Sequence, residues 1–329
     1  MNNSSDAHLP KALQGLRIPL IAAPLFIISV PELVIAQCKA GIVGSFPALN
    51  AREADGEPPL LDAWLTQITE ELDSYNQANP DRPAAPFAVN QIVHRSNGRL
   101  DRDLEICVKH KVPIWITSLG ARVEVNEAAH SCGGIVLHDI INNTFARKAI
   151  DKGADGLVAV AAGAGGHAGQ QSPFALIAEI REWFKGPLML SGAIATGDSI
   201  LAAQAMGADL AYIGSPFIAT HEARATDEHK QGIVDGGGED IVYSSLFTGV
   251  HGNYLRQSIV NAGMDPDNLP DGDVSKMSFG SGGSEKSKAW KDIWGCGQGI
   301  DKVKSVQGAG DLVAQYIAEY DAMQKKLAA

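Results

Sequence analysis

Short apolar runs alternate with amphipathic stretches along the first two-thirds of the chain, the rhythm of parallel β-strands joined by helices. Runs with strand character are Pro19–Ala23, Ile42–Phe46, Phe87–Val89, Pro113–Thr117, Ile135–Leu137, Leu157–Ala161, Leu188–Ser191 and Leu210–Gly214. Helical periodicity lies between them, over Pro31–Lys39, Leu60–Asn76, Leu100–His110, Asn143–Lys152, Phe174–Phe184 and Asp198–Met206. The phrases KAG, DKGADG and MGAD set glycine where a helix C-terminus needs a left-handed residue. Eight strand–helix units predict an α/β fold, a (β/α)8 TIM barrel over residues 1–222. A doubly wound open sheet is the competing arrangement.

The rhythm breaks near His221. Residues 223–288 hold a helical start at Ala225–Asp235, glycine runs at Gly236–Gly238 and Gly280–Gly283, and a mixed stretch around Tyr254–Ala262, with no clear strand. This predicts a smaller, mainly helical insertion after strand eight that covers one side of the barrel mouth, with the glycine runs as hinges. The linker SFGSGGSEKSK then leads into residues 289–329, which return to the barrel and end in a helix over Ala309–Lys326.

Composition narrows the function classes. Of the 329 residues, 45% are hydrophobic and 20% charged, as in ordinary globular domains. The net charge of −11 speaks against nucleic acid or an anionic membrane surface as partner, since both need a basic footprint. No apolar run approaches a membrane span, and the start MNNSSDAHLPKALQG lacks the plan of a secretory signal. Cys38, Cys107, Cys132 and Cys296 are too scattered for a disulfide framework or zinc ribbon. A cytoplasmic, soluble protein without a metal site is expected.

Glycine is the informative excess, at 35 residues clustered at the ends of apolar runs. In LVAVAAGAGGHAG a strand runs into Gly163, Gly165, Gly166 and His167. A barrel places that histidine on the C-terminal face, where active sites sit, and its imidazole can take a proton near neutral pH. A loop histidine with no task is the plain alternative. GAGGHA loosely matches a dinucleotide fingerprint, but no acid follows the next strand before Asp198, which speaks against a Rossmann site.

In LMLSGAIATGDSILAAQAMGADLAYIGSPFIAT, glycine turns follow two successive strands. Backbone N–H groups at such turns form anion nests, which makes Ser191, Gly192, Gly214 and Ser215 candidates for a cofactor phosphate and its ribityl neighbour. Ala23, Pro24 and Leu25 end the first strand in an uncharged turn against which a flat ring can lie. Asn90 ends the third, where its amide can bond a ring edge or simply form a turn. The segment WGCGQG, Trp294–Gly299, reads equally as a cap on a ligand or as a plain loop. HSCGGIVLHD matches no metal spacing, and no Walker or G-x-S-x-G motif is present.

In order and spacing, the blocks IAAPLFIISVPELVIAQCKAGIVGS, PFAVN, AGAGGHAG, SGAIATGDSILAAQAMGADLAYIGSPFIAT, LFTG and GCGQG resemble the nitronate monooxygenase family, once called 2-nitropropane dioxygenases. The resemblance extends over about residues 16–320. It implies FMN as cofactor, lying against Ala23, Pro24 and Leu25 and near Asn90. The ribityl–phosphate end would meet Gly165, Ser191, Gly192, Gly214 and Ser215, and Gly166 would also contact the cofactor. His167 falls on the family's catalytic histidine, a base toward nitroalkanes or a positioning group for a nitronate. The implied partners are a nitronate and O2, the products a carbonyl compound and nitrite, and a homodimer is admitted.

The chain departs from the family pattern at three positions. Ala168 stands where many members have arginine. Val160 and Asp139 stand where polar or basic flavin contacts are common, and an ionised acid near the pyrimidine edge would repel an anionic reduced flavin. Related quinone and enoyl reductases share the glycine blocks, so an FMN-dependent NAD(P)H reductase is the alternative. A flavin- or phosphate-binding barrel without turnover is a second.

Overall fold

The computed structural model describes residues 7–53, 57, 59–273 and 292–329. Eight parallel strands form one sheet: β1 (Leu20–Ala22), β2 (Gly44–Pro47), β3 (Phe87–Ile92), β4 (Ile114–Ser118), β5 (Ile135–Ile140), β6 (Gly156–Val160), β8 (Leu188–Ser191) and β9 (Leu210–Ile213). The order is β1-β9-β8-β6-β5-β4-β3-β2. The two ends meet through a bridge between Ile21 and Val43, and the Ala22 amide donates to the Val43 carbonyl at 2.8 Å. The sheet is therefore a closed barrel, and the open doubly wound alternative is excluded.

Helices α1 (Pro31–Ala40), α2 (Leu60–Ala78), α3 (Leu100–Lys109), α4 (Val123–Ser131), α5 (Asn143–Asp151), α6 (Pro173–Arg181) and α7 (Gly197–Ala205) ring the barrel. Local chemistry fixes their ends. Pro31 occupies the first turn of α1, whose missing N–H costs nothing there, and Gly41 closes the helix at φ 94°. The Asn142 side chain caps α5, and Thr196 with Ser199 forms a capping box on α7. The strand pleat then divides the core in two. Ile21, Val43, Ala88, Ile114, Ile116, Leu137, Val158 and Met189 fill the barrel, with Leu9 and Leu13 packed against them. The alternate residues, such as Val89, Trp115 and Leu190, pack under the helices.

Beyond β9 come α8 (Ser215–Ile218), α9 (Asp227–Asp235) and α10 (Arg256–Asn261), and α11 (Ala309–Ala328) closes the chain. One sequence expectation fails in this region. The 223–288 segment does contain strands, β10 (Ile241–Ser244) and β11 (Gly252–Leu255). They form an antiparallel sheet with β7, the two-residue strand Gly166–His167. Four-residue strands reading IVYS and GNYL are too short to show alternation, and their partner sits inside a glycine loop. The Gly280–Gly283 run and the SFGSGGSEKSK linker lie outside the described residues. No described helix is long and apolar enough to cross a membrane.

Candidate active site

At the C-terminal rim the pleat that buries Leu137 and Leu210 turns Asp139 and Tyr212 inward as well, two residues further along β5 and β9. With Asn90, Ser118, Val160 and Ser191 they line a cavity of about 610 Å³, within the size range of small-molecule sites. Ala23, Pro24, Leu25, Gly165, Gly166, His167, Gly214 and Ser215 also line it. His229 and Val250, from the segment after β9, contribute to the wall. Ile141, Phe145 and Lys148 reach it from the exposed loop and helix after β5.

A narrow cleft of about 30 Å³ adjoins the cavity, sharing Gly165, Ser191, Gly214 and Ser215 and adding Gly163, Gly192, Gly297 and Gly299. Gly192 has φ +140°, and a Cβ there would sit 2.8 Å from the Ala162 carbonyl oxygen. At Gly165 a Cβ would lie 2.8 Å from the backbone of both Cys296 and Gly297. The cleft thus exists because side chains are missing. The Ser215 hydroxyl accepts from the Gly297 amide at 2.8 Å, and the Gln298 amide donates to the Gly163 carbonyl at 2.9 Å. These bonds make the WGCGQG segment a wall of the cleft. Ala23, Pro24, Leu25, Asn90, Gly165, Gly166, His167, Ser191, Gly214 and Ser215 all lie in the cavity, and Gly163 and Gly192 in the cleft alone.

His167 is held from outside the barrel. Its strand β7 pairs with β11 in the register Gly252↔His167 and Asn253↔Gly166. The Ala168 amide donates to the His251 carbonyl at 3.3 Å, and the Tyr243 hydroxyl donates to the Ala168 carbonyl at 3.1 Å. Thr248 Oγ1 gives its hydrogen to the Val250 carbonyl at 2.9 Å. It therefore accepts from His167 Nε2, 2.8 Å away, and the neutral ring carries its lone pair on Nδ1. Burial lowers the His167 pKa to about 4, so the ring is neutral at neutral pH. Burial does the same to His138 and His229, each also brought to about 4.

Several participants carry no sequence signal of their role. Asn253 is a single polar residue of β11, and Thr248 stands in the LFTG block, which by itself assigns it no task. Asn253 Nδ2 bonds the Ala164 carbonyl at 2.6 Å, bracing the glycine loop. His229 stacks on Trp294 with ring centroids 4.7 Å apart. Asn50 clamps the loop after β1: its Oδ1 accepts from the Ile27 amide at 2.7 Å, and its Nδ2 donates to the Leu25 and Ser29 carbonyls at 3.0 and 2.8 Å. Ile27 sits at φ 70°, a conformation unfavourable for a β-branched residue, which that clamp maintains. Asn90 Nδ2 donates to the Ile116 carbonyl and the Ser118 hydroxyl, so its carbonyl oxygen is what it offers a ligand.

The residues fit a flavin on two observations. The glycine-walled cleft is a cradle for a terminal phosphate, opening onto a cavity wide enough for a planar ring. On the floor, Asp139 Oδ1 and the Tyr212 hydroxyl are buried without a hydrogen-bond partner, as groups awaiting a polar ligand edge are. Among the described residues no cluster of three or more His, Cys, Asp or Glu side chains could hold a metal.

Comparison with known proteins gives consistent results. The family model for nitronate monooxygenase matches residues 8–319. A nitronate monooxygenase of Paraburkholderia phytofirmans is 24% identical over 292 residues, covering 77% of this chain and 78% of its own. Nitroalkane oxidase from Streptomyces ansochromogenes superposes with a TM-score of 0.75 at 22% identity, over 95% of this chain and 98% of that one. FabK from Thermotoga maritima superposes with a TM-score of 0.73 at 20% identity, over 96% of both chains.

Proposed function

Because the chain belongs to the nitronate monooxygenase family, oxidoreductases that work on flavin, we propose that it oxidises alkyl nitronates on bound FMN. O2 is the final acceptor, and a carbonyl compound and nitrite are the products. The observation that carries this reading is a neutral, oriented His167 over a cavity whose other end is a glycine-walled cleft. Gly297 and Gly299 wall that narrow cleft, and no second glycine fingerprint offers a place for an adenosine half, which supports FMN rather than FAD. Gly165, Gly192, Gly214 and Ser215 would hold the phosphate, while Ala23, Pro24, Leu25 and Asn90 would border the ring. The bound cofactor would supply the electron acceptor for the nitronate carbon.

The chain's own part is positioning and proton handling. His167 Nδ1 takes the α-proton of a nitroalkane, and Thr248 on Nε2 keeps the ring in the tautomer that makes this possible. A nitronate has already lost that proton, and toward it His167 acts as a positioning group. His229, Val250 and Trp294 wall the cavity beside His167 and narrow its access to water.

Anaerobic titration of the purified yellow protein tests the reading. An alkyl nitronate is expected to bleach the flavin, whereas NADH leaves it oxidised. Bleaching by NADH but not by nitronate would instead establish the reductase alternative. Chromatography of heat-released cofactor should give FMN, and FAD there would refute the single-phosphate argument.

A further inference from the structure

Asp139 is the cavity-floor group that neither the His167 chemistry nor the glycine cleft uses. It stands on β5 facing into the barrel, paired through its backbone with Val158 of β6. Val160, from the same neighbouring strand, lines the cavity beside it. Its Oδ1 is buried and unpartnered, as is the hydroxyl of Tyr212 on β9. No ion pair among the described residues includes Asp139. A buried carboxylate without a cation or a donor is costly, and the group escapes the cost by keeping its proton. A protonated carboxyl is both donor and acceptor, whereas an ionised one only accepts.

We propose that Asp139, protonated and seconded by the Tyr212 hydroxyl, donates a hydrogen bond to the polar edge of the flavin ring, so that cofactor binding is tied to holding one proton. This rests on the flavin reading above. The same proton removes the objection raised by an acid at this position, because the neutral form adds no charge against a reduced, anionic ring.

The groups around the cavity leave Asp139 as the titrating member. Tyr212 faces it from β9, and burial together with Asp139 itself pushes that phenol further up. His138 on β5, His167 on β7 and His229 on α9 are neutral above about 4. Lys148 on α5 stands at the exposed mouth. Burial raises the Asp139 carboxyl to about 7. If the flavin requires the protonated form, FMN affinity is level below that pH and falls about tenfold per pH unit above it.

The test is fluorescence titration of the apoprotein with FMN between about pH 6 and 9, with the slope read above pH 7, where a phosphate has largely completed its second ionisation. Alongside it, proton uptake on binding is measured by calorimetry in buffers of different ionisation enthalpy. The wild type should show the slope and, above pH 8, take up close to one proton. Asp139→Asn keeps a donor and cannot ionise. It should bind FMN at all pH values about as tightly as the wild type does at pH 6, with no proton taken up. A slope preserved in Asp139→Asn, or wild-type binding with neither slope nor proton uptake, would overturn the proposal alone. An apoprotein that binds no flavin at any pH would overturn the cofactor reading too. The uptake measurement uses the unaltered chain, so it decides the matter even if the variant fails to fold.

Discussion

Gly165 and Gly166 are neighbours in one loop with opposite physical reasons for being glycine, and substituting each by alanine separates them. A Cβ on Gly165 would lie 2.8 Å from Cys296 C and Gly297 N and 2.9 Å from Cys296 Cα. All three are backbone atoms, so no flexible side chain can swing aside. Ordinary contact needs at least roughly 3.4 Å, and the 296–297 backbone must move by more than half an ångström. Overpacking of this kind costs about 1–3 kcal/mol. Gly297 lines the cleft through the Ser215 bond, so the movement falls on the phosphate nest. Charged wholly against ligand binding, that cost weakens flavin affinity about 5- to 150-fold.

Gly166 sits at φ +66° with nothing within 4 Å of an added Cβ. Alanine there pays only backbone strain, about 1 kcal/mol of folding stability, and should leave flavin affinity within about twofold. Flavin fluorescence quenching on the apoproteins measures the first quantity and urea unfolding the second. Equal flavin affinity in Gly165→Ala and wild type, with the fold intact, would refute the claim that residues 296–297 complete the nest. So would a larger loss of flavin from Gly166→Ala than from Gly165→Ala.

Further expectations follow from the same geometry. His167→Asn should cut nitroalkane turnover about 10²–10⁴-fold, nitronate turnover far less, and flavin content not at all; an equal loss of both activities would reduce the side chain to a positioning role. On the proposed mechanism the neutral imidazole is the active form, so nitroalkane kcat/KM should hold from pH 7 down to about 5 and decline through pH 4 as the ring protonates. Ser215→Glu puts a carboxylate where the hydroxyl meets the Gly297 amide, and flavin affinity should drop at least about tenfold through charge repulsion with a phosphate; unchanged occupancy removes Ser215 from the site. Asn50→Ala breaks the three bonds that hold the Leu25–Ser29 loop and should cost about 2–4 kcal/mol in urea unfolding; a loss below about 0.5 kcal/mol would show that the loop holds itself.

The barrel was legible because each of its strands is an apolar run ending at a turn-forming residue, and that pattern needs no distant partner. The glycine loops were legible for a related reason: a narrow opening at a strand end requires residues without side chains, and Gly192 at φ +140° is one of them. What escaped the sequence reading depends on long-range pairing. Strands β10 and β11 exist through each other and through Gly166–His167, which lie more than 70 positions earlier. Thr248 gains its meaning only by standing 2.8 Å from His167, 81 positions away. Tyr212 reads from the sequence as one more apolar strand residue; only the closed barrel shows its hydroxyl buried beside Asp139. Helix α4, VEVNEAAHS, is poorly marked in the sequence because valines and polar residues give it weak helical periodicity.

The three-stranded sheet that joins β7 to β10 and β11 divides authority over the site. The barrel supplies the floor and, with Gly297 and Gly299, the glycine cleft, whereas the hydrogen bond that orients the histidine comes from a segment after the last barrel strand. On the proposed reading, ligand capture and proton chemistry draw on largely different stretches of the chain. If His167 is the base, substitutions around Thr248 would retune or silence it without touching the barrel residues proposed to hold the cofactor. On that reading the hairpin is the place where the chemistry could be rewritten with the barrel left as it is.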